Sequence, residues 1–363
     1  MKPLAKDYKR IVIKVGSSLF YAADNTLDFA VFDNVVRQVI HLVKANKEVI
    51  IVSSGAIALG MHLLGLRERP KKLGDLQAAA AIGQNELMNT YRRVFGGSDC
   101  FAAQILLTWE DFYDRKRYLN AKNTLLALLE YRKYRIQRLI PIINENDTVS
   151  TEEIKFGDND RLSALVATLI NADLLIILSD VDGLLDKNKK VITVVDEIKS
   201  QIKALACPTT KKTCVGGMIT KIEAAKIAVD SGIPCVIANG IHKNVILSAI
   251  ENPAQVGTLF VPKKGLAARE RWIAFGTKPK GKITVDDGAK KALINKKSLL
   301  SVGVITCEGI FESGDIVKVT DNQNREFARG KVNLSSKQLD KVKGRRYDKE
   351  IIHRDNIVIL EEK

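Results

Sequence analysis

Six short apolar runs recur through the first 260 or so residues, and they constrain the fold more than any other feature of the chain. They are RIVIKV (10–15), EVIIV (48–52), FAAQILL (101–107), LIPII (139–143), DLLIIL (173–178) and PCVIA (234–238). Most are rich in Val, Ile and Leu with little alternation, so each needs cover on both faces. Between them lie segments of helical spacing: 29–46, through Val31, Val35, Val39 and Leu42, then 75–95 and 120–132. The expected fold is α/β, a mainly parallel sheet sandwiched by helices. Ligands of such sheets bind beyond the carboxyl ends of the strands.

The pattern changes near residue 261. PKKGLAARERWIAFGTKPKG is rich in Lys, Arg, Gly and Pro and reads as a linker. KITV, SVGVITCEGIF, DIVKVTD, REFARGKVNL and NIVILEE follow, as short strands joined by polar turns. The expected division is a first domain over 1–262, a linker over 263–279 and a small β-rich domain over 280–363. A chain of 363 residues is long enough for both.

Composition narrows the function classes. No run of 18 apolar residues occurs, so no membrane span is expected. The five cysteines form no CxxC pair, which argues against a zinc ribbon or a disulfide framework and fits a reducing cytoplasm. A net charge of +15 suits anionic ligands or nucleic acid. That excess is spread along the chain: from Lys280 onward there are 18 basic and 13 acidic residues.

The strand ends carry the polar clusters. Asn144-Glu145-Asn146-Asp147 stops the fourth run, and Gly157-Asp158-Asn159-Asp160 opens a helical segment. Polar groups massed at a strand end and a helix start suit a small charged ligand, although Asx-rich turns and an N-cap give the same composition. Lys14 lies inside an apolar strand just before Gly16-Ser17-Ser18 and needs an anionic partner unless it snorkels from an edge. Ser53-Ser54-Gly55-Ala56 ends the next strand. Gly216-Gly217 with Thr220 and Lys221 at a helix entry could cradle phosphate or be an ordinary turn, and it is not a GxxxxGK[ST] loop. Ser179-Asp180-Val181-Asp182-Gly183 is a fourth crest, for a nucleotide's sugar or base or simply a turn.

Taken in order, IVIKVGSS, VIIVSSGAIALG, PIINENDTVS, IKFGDNDRLSALVA, LLIILSDVDGL and VGGMITKIEAAKIA resemble the amino acid kinase family over about residues 10–260. NEND followed by GDND is similar to the branch that phosphorylates the γ-carboxylate of L-glutamate in the first step of proline synthesis. The segment from KITVDDGAKKAL to GIFESGDIVKV resembles a PUA domain. The resemblance implies that Lys14 and Lys221 neutralise the transferring phosphoryl group and that Asp160 orients both. It implies that Ser54, Asn144, Asp147, Asp158 and Asn159 hold glutamate, the acidic groups addressing its ammonium. ATP contacts are implied for Lys14, Lys155, Ser179, Asp180, Val215, Gly216, Gly217, Met218, Ile219, Thr220 and Lys221. Mg²⁺ would be held mainly by ATP phosphates, with no tight protein metal site. A homo-oligomer, by resemblance a tetramer, inhibition by proline and a cytoplasmic location are also implied. The chain departs from the family's usual Gly-Thr-Gly-Gly-Met loop by carrying Cys214-Val215 at its start.

The implied chemistry needs no general base, because a γ-carboxylate is already ionised near neutral pH. The histidines, at 41, 62, 242 and 353, are accordingly expected to lie clear of the motifs. Phosphorylation of aspartate, acetylglutamate, carbamate or UMP is the nearest alternative. RNA binding or modification through the PUA-like domain is another, although its modest charge excess and few aromatics speak against strong RNA affinity.

Overall fold

The computed structural model describes residues 8–20, 29–131, 138–150, 159–206, 217–262, 268–276 and 279–360. The chain divides into two compact units. One comprises Met1–Asp111 and Arg115–Gly265, and the other Leu266–Lys363 with Phe112–Asp114.

In the first unit the described order is β1 (Arg10–Val15), α1 (Ala30–Lys44), β2 (Glu48–Ser53), α2 (Ala56–Leu63), α3 (Leu73–Phe95), β3 (Cys100–Leu107), α4 (Trp109–Tyr113, which runs across the unit division), α5 (Arg115–Tyr131) and β4 (Arg138–Glu145). It continues with α6 (Asn159–Leu169), β5 (Leu174–Ser179), β6 (Val194–Val195), α7 (Ser200–Ala204), α8 (Met218–Asp230), β7 (Cys235–Asn239), α9 (Val245–Glu251), α10 (Pro253–Val256) and β8 (Gly257–Phe260). The strands form one sheet in the order β3-β4-β2-β1-β5-β7-β8-β6. All six apolar runs are strands, and the pairings among them are parallel. The sequence pattern missed β6 and β8. They are only two and four residues long, too short to show a period, and β8 runs antiparallel to β7.

Strand alternation assigns each residue to a face. Ile11, Ile13 and Val15 of β1 cluster with Val49 and Ile51 of β2 and with Ile140 and Ile142 of β4. This face is covered by Phe32, Val35 and Val39 of α1, Leu87 and Tyr91 of α3, and Val245 and Ile246 of α9. The intervening residues Val12, Ile50, Val52, Ile143, Leu175 and Ile177 are equally buried on the opposite face. There α6 packs on β1 and β5, α8 packs on β7, and the two helices pack on each other. Lys14 has the parity of Val12, so β1 delivers it to the α6/α8 side. Asn144 has the parity of Ile142, so β4 delivers it to the α3 side.

The SSGA turn runs straight into α2. Helices α2 and α3 approach at a glycine on each. A Cβ on Gly60 would lie 1.8 Å from the Ala79 carbonyl oxygen, and one on Gly83 would lie 1.8 Å from that of Ala56.

The second unit has a five-stranded sheet in the order β10-β9-β11-β12-β13. Its elements are α11 (Ala268–Phe275), β9 (Gly281–Val285), α12 (Asp287–Ile294), β10 (Val304–Gly309), β11 (Ile316–Thr320), β12 (Glu326–Lys331), α13 (Ser336–Val342) and β13 (Ile357–Ile359). Ile283, Val285, Val317, Val319, Phe311 and Phe327 fill its core. The Asp286 side chain caps α12 by accepting from Ala289 N at 2.7 Å, and Ser335 with Gln338 forms a capping box on α13. Part of the expected linker is helical. In α11 the buried Ile273 and Ala274 pack with Ile316 and Val358, and Arg329 donates to the Ala274 carbonyl at 2.7 Å. The basic flanks of this stretch masked an apolar run, WIAF, that the helix buries.

Gly83→Ala should destabilise the first unit, because backbone stands where the new methyl group would go. Overpacking of this kind costs about 1–3 kcal/mol, and each kcal/mol lowers the melting midpoint of a unit this large by roughly 2–4 °C. Thermal unfolding of Gly83→Ala beside an exposed control, Gly74→Ala, checks this; nothing lies within 4 Å of a Cβ at Gly74.

Candidate active site

Five parallel strands end along one edge: β1 at Val15, β2 at Ser53, β4 at Glu145, β5 at Ser179 and β7 at Asn239. Helices α6 and α8 begin there too. Twelve of the residues expected in a site, Lys14, Ser54, Asn144, Asn159, Asp160, Ser179, Asp180, Gly217, Met218, Ile219, Thr220 and Lys221, lie at or next to these ends.

Asp160 is the centre of the arrangement. It is 1% exposed, in the first turn of α6. Its Oδ1 lies 2.6 Å from Lys14 Nζ, and its Oδ2 lies 3.2 Å from Lys221 Nζ. The Thr220 hydroxyl donates to Oδ2 at 2.7 Å and lies 2.9 Å from the Gly217 carbonyl oxygen. Both lysines are themselves buried, at 6% and 8% exposure. Burial pushes the Asp160 carboxyl up, but the two ammonium groups, with hydrogen bonds from Lys14 and Thr220, bring it down to about 2. The cluster therefore carries one net positive charge. Gly16 leaves space for it, since a Cβ there would lie 3.5 Å from Lys14 Nζ and 3.2 Å from the Leu178 carbonyl oxygen.

A chain of neutral amides runs away from this cluster. Asn159, next to Asp160, donates from Nδ2 to Ser54 Oγ and to Asn144 Oδ1, each at 3.0 Å. Asn144 Nδ2 donates to Gln84 Oε1 of α3 at 2.7 Å. Gln77, two turns earlier on α3, donates to the Ser150 carbonyl at 3.1 Å, and Ser150 Oγ lies 3.0 Å from Glu145 Oε1. Residues 144–150 are thus tied to α3 at two points. Asp147 lies in this segment. Burial raises its carboxyl to about 6, and the Arg69 guanidinium pulls the other way.

The fourth crest lies past β5 and β7. Ser179 Oγ lies 3.2 Å from Asp180 Oδ1. Asp182 Oδ1 accepts from Asn239 Nδ2 and meets His242 Nε2, both at 2.9 Å. His242 was expected to lie clear of every motif, and this contact corrects that expectation. Sequence separation hid it, because the loop after β7 comes 60 residues later. The Thr220 hydroxyl, expected on ATP, is directed at Asp160. Lys155, Asp158, Val215 and Gly216 lie outside the described residues. Gln84, Gln77 and Arg69 went unnoticed because the residues they meet lie 60 or more positions away in the sequence.

Two ammonium groups, one near the end of β1 and one from the first turn of α8, with the start of that thirteen-residue helix at Met218, suit polyphosphate oxygens. The neighbouring amides suit a small polar acceptor. The family comparisons agree with this chemistry. The amino acid kinase family model matches residues 9–239, and the PUA domain model matches residues 281–354. The chain belongs to the amino acid kinase family. It is similar to proteins named glutamate 5-kinase. That of Thermoanaerobacter sp. (strain X514) is 45% identical over 97% of this chain and 98% of its own. That of Caldanaerobacter subterraneus subsp. tengcongensis is 47% identical over the same shares. That of Carboxydothermus hydrogenoformans is 45% identical over 99% of this chain and all of its own.

The Asp160 carboxyl has an ordinary value of 3.8 and sits near 2 when folded, so its ion pairs favour folding above pH 4 and lose that effect as pH falls toward 2. Asp160→Asn leaves two buried ammonium groups without their shared counter-ion. At pH 7 it should cost about 3–5 kcal/mol. The gap between wild type and variant should narrow as pH falls from 4 to 2. Urea unfolding of both proteins across this range measures it.

Proposed function

We propose that the chain transfers the γ-phosphoryl group of ATP to the γ-carboxylate of L-glutamate, giving L-glutamyl 5-phosphate and ADP, the first step of proline biosynthesis. The observation that carries this reading is the doubly paired Asp160 beside the Ser54–Asn159–Asn144 amides. Bringing two anions together is the obstacle, and the acceptor oxygen needs no deprotonation. Lys14 and Lys221 offset charge on the phosphoryl oxygens as it redistributes, and Asp160 fixes both ammonium groups beforehand, so little reorganisation is needed. Mg²⁺, for which no protein ligand is assigned, would supply further charge neutralisation when bound with ATP. Ser54, Asn144 and Asn159, with Asp158, hold the acceptor, and Asp147 pairs with its ammonium. Lys155, Ser179, Asp180 and residues 215–219 address ATP.

By the same reading, proline inhibits by occupying the α-carbon end, since it shares the α-carboxylate and cationic nitrogen but has no γ-carboxylate to phosphorylate. The protein works in the cytoplasm as a homo-oligomer, by family resemblance a tetramer. Residues 1–262 form the kinase domain, and residues 280–363 the PUA domain, which supplies none of the proposed site.

Glutamate, MgATP and hydroxylamine should yield γ-glutamyl hydroxamate, and Lys14→Ala and Lys221→Ala should each slow turnover by ~100-fold or more, the scale for one lost charge stabiliser. A purified protein that turns over aspartate or UMP and not glutamate overturns the reading.

Asp147 supplies a pH test. A carboxyl near 6 is protonated below that pH and cannot then pair with an ammonium. The kcat/KM for glutamate should fall as pH drops through 6, and the matching inflection should be missing from Asp147→Asn, whose KM is high throughout.

A further inference from the structure

Gln84 follows Gly83, where α3 meets α2, and the close helix contact sets its position. Its Oε1 is occupied by Asn144 Nδ2 at 2.7 Å. Its Nε2 is buried and has no hydrogen-bond partner among the described residues. Asn159 Oδ1, two amides away, is likewise buried and unpartnered. Buried donors and acceptors are rarely left unpaired, and a pair of them at one site calls for a ligand of matching polarity. An amino acid offers a carboxylate for the donor at Gln84.

The order of the network says which carboxylate. Asn159 adjoins Asp160 and the lysines, Asn144 is one hydrogen bond further out, and Gln84 is one beyond that. The reacting end of the acceptor must face the lysines, so the non-reacting end faces Gln84. We propose that Gln84 is a substrate-specificity residue, its Nε2 donating to the α-carboxylate of the acceptor amino acid while its Oε1 holds the Asn144 amide in place. This inference rests on the glutamate-phosphorylation reading.

Gln84→Glu separates the two tasks. The new side chain keeps an oxygen for Asn144 Nδ2 and puts a second oxygen where the donor stood. The KM for glutamate should rise at least tenfold, with kcat and the KM for ATP within twofold of wild type. Gln84→Met, which lacks both functions without adding charge, should also raise the glutamate KM and serves if the first variant folds poorly. A glutamate KM within twofold of wild type in the folded variants overturns the proposal. So does a parallel change in the KM for ATP and in kcat, which marks a purely structural role. If wild-type protein itself fails to phosphorylate glutamate, the proposed function falls instead.

Discussion

One carboxylate shared by two ammonium groups sets the terms for the rest of the first unit. Two lysines cannot be buried side by side without a counter-ion, and a carboxylate as enclosed as Asp160 cannot stay ionised without cations. Each group is therefore tolerable only in the presence of the others. They arrive on three elements: β1 brings Lys14, α6 brings Asp160 and α8 brings Lys221. Moving β1 by one residue would turn Lys14 to the opposite face, into the cluster of Val35, Leu87 and Tyr91, and the arrangement would collapse. The ion cluster thus fixes strand register as well as chemistry, and the parallel pairing of β1 with β2 and β5 holds it there.

The site draws on both faces of the sheet, which is possible only at its edge. Lys14 comes from the α6/α8 side and Asn144 from the α3 side. Asn159, at the start of α6, spans the gap by donating to both Ser54 and Asn144. The α3 side needs its own anchorage, and the glycine contact between α2 and α3 provides it. With Gly60 and Gly83 letting the two backbones meet, Gln77 and Gln84 reach residues 144–150. A packing feature some distance along the helices thereby determines where a strand-end amide points.

Much of this was legible in the sequence, for identifiable reasons. Apolar runs mark strands, and all six became strands of one sheet; five are buried on both faces, while β3, at the sheet edge, leaves Phe101 and Gln104 exposed. Lys14 stood out because a charge inside such a run must be paired. NEND and GDND stood out because polar residues cluster there. What escaped notice had no local signature. Gln84 is one of many polar residues of α3, and only the fold gives it Asn144 as a neighbour. His242 meets Asp182 across two strand ends. Helix α11 was hidden by the charged residues around its apolar core, and β8 by its length.

On the proposed assignment the two ends of the site use different electrostatics, and the difference follows from what each would bind. The phosphoryl end has to accommodate surplus negative charge, and full charges of fixed geometry meet it there. The amino-acid end has to hold a group whose carboxylate and ammonium sum to zero. Neutral amides suffice for it: they give orientation and selectivity without the desolvation cost of further ions. Asp147, the carboxylate proposed to meet the ammonium, has its carboxyl raised by burial, where Asp160 is held near 2 by the lysines. A fully stabilised anion at Asp147 would gain little from an incoming ammonium. One that burial has destabilised gains much more, because the ligand supplies the charge partner that its surroundings give only in part through Arg69. On that assignment the same residue type serves as a permanent counter-ion at one end and as a ligand-dependent one at the other, by the number of cations the fold places against it.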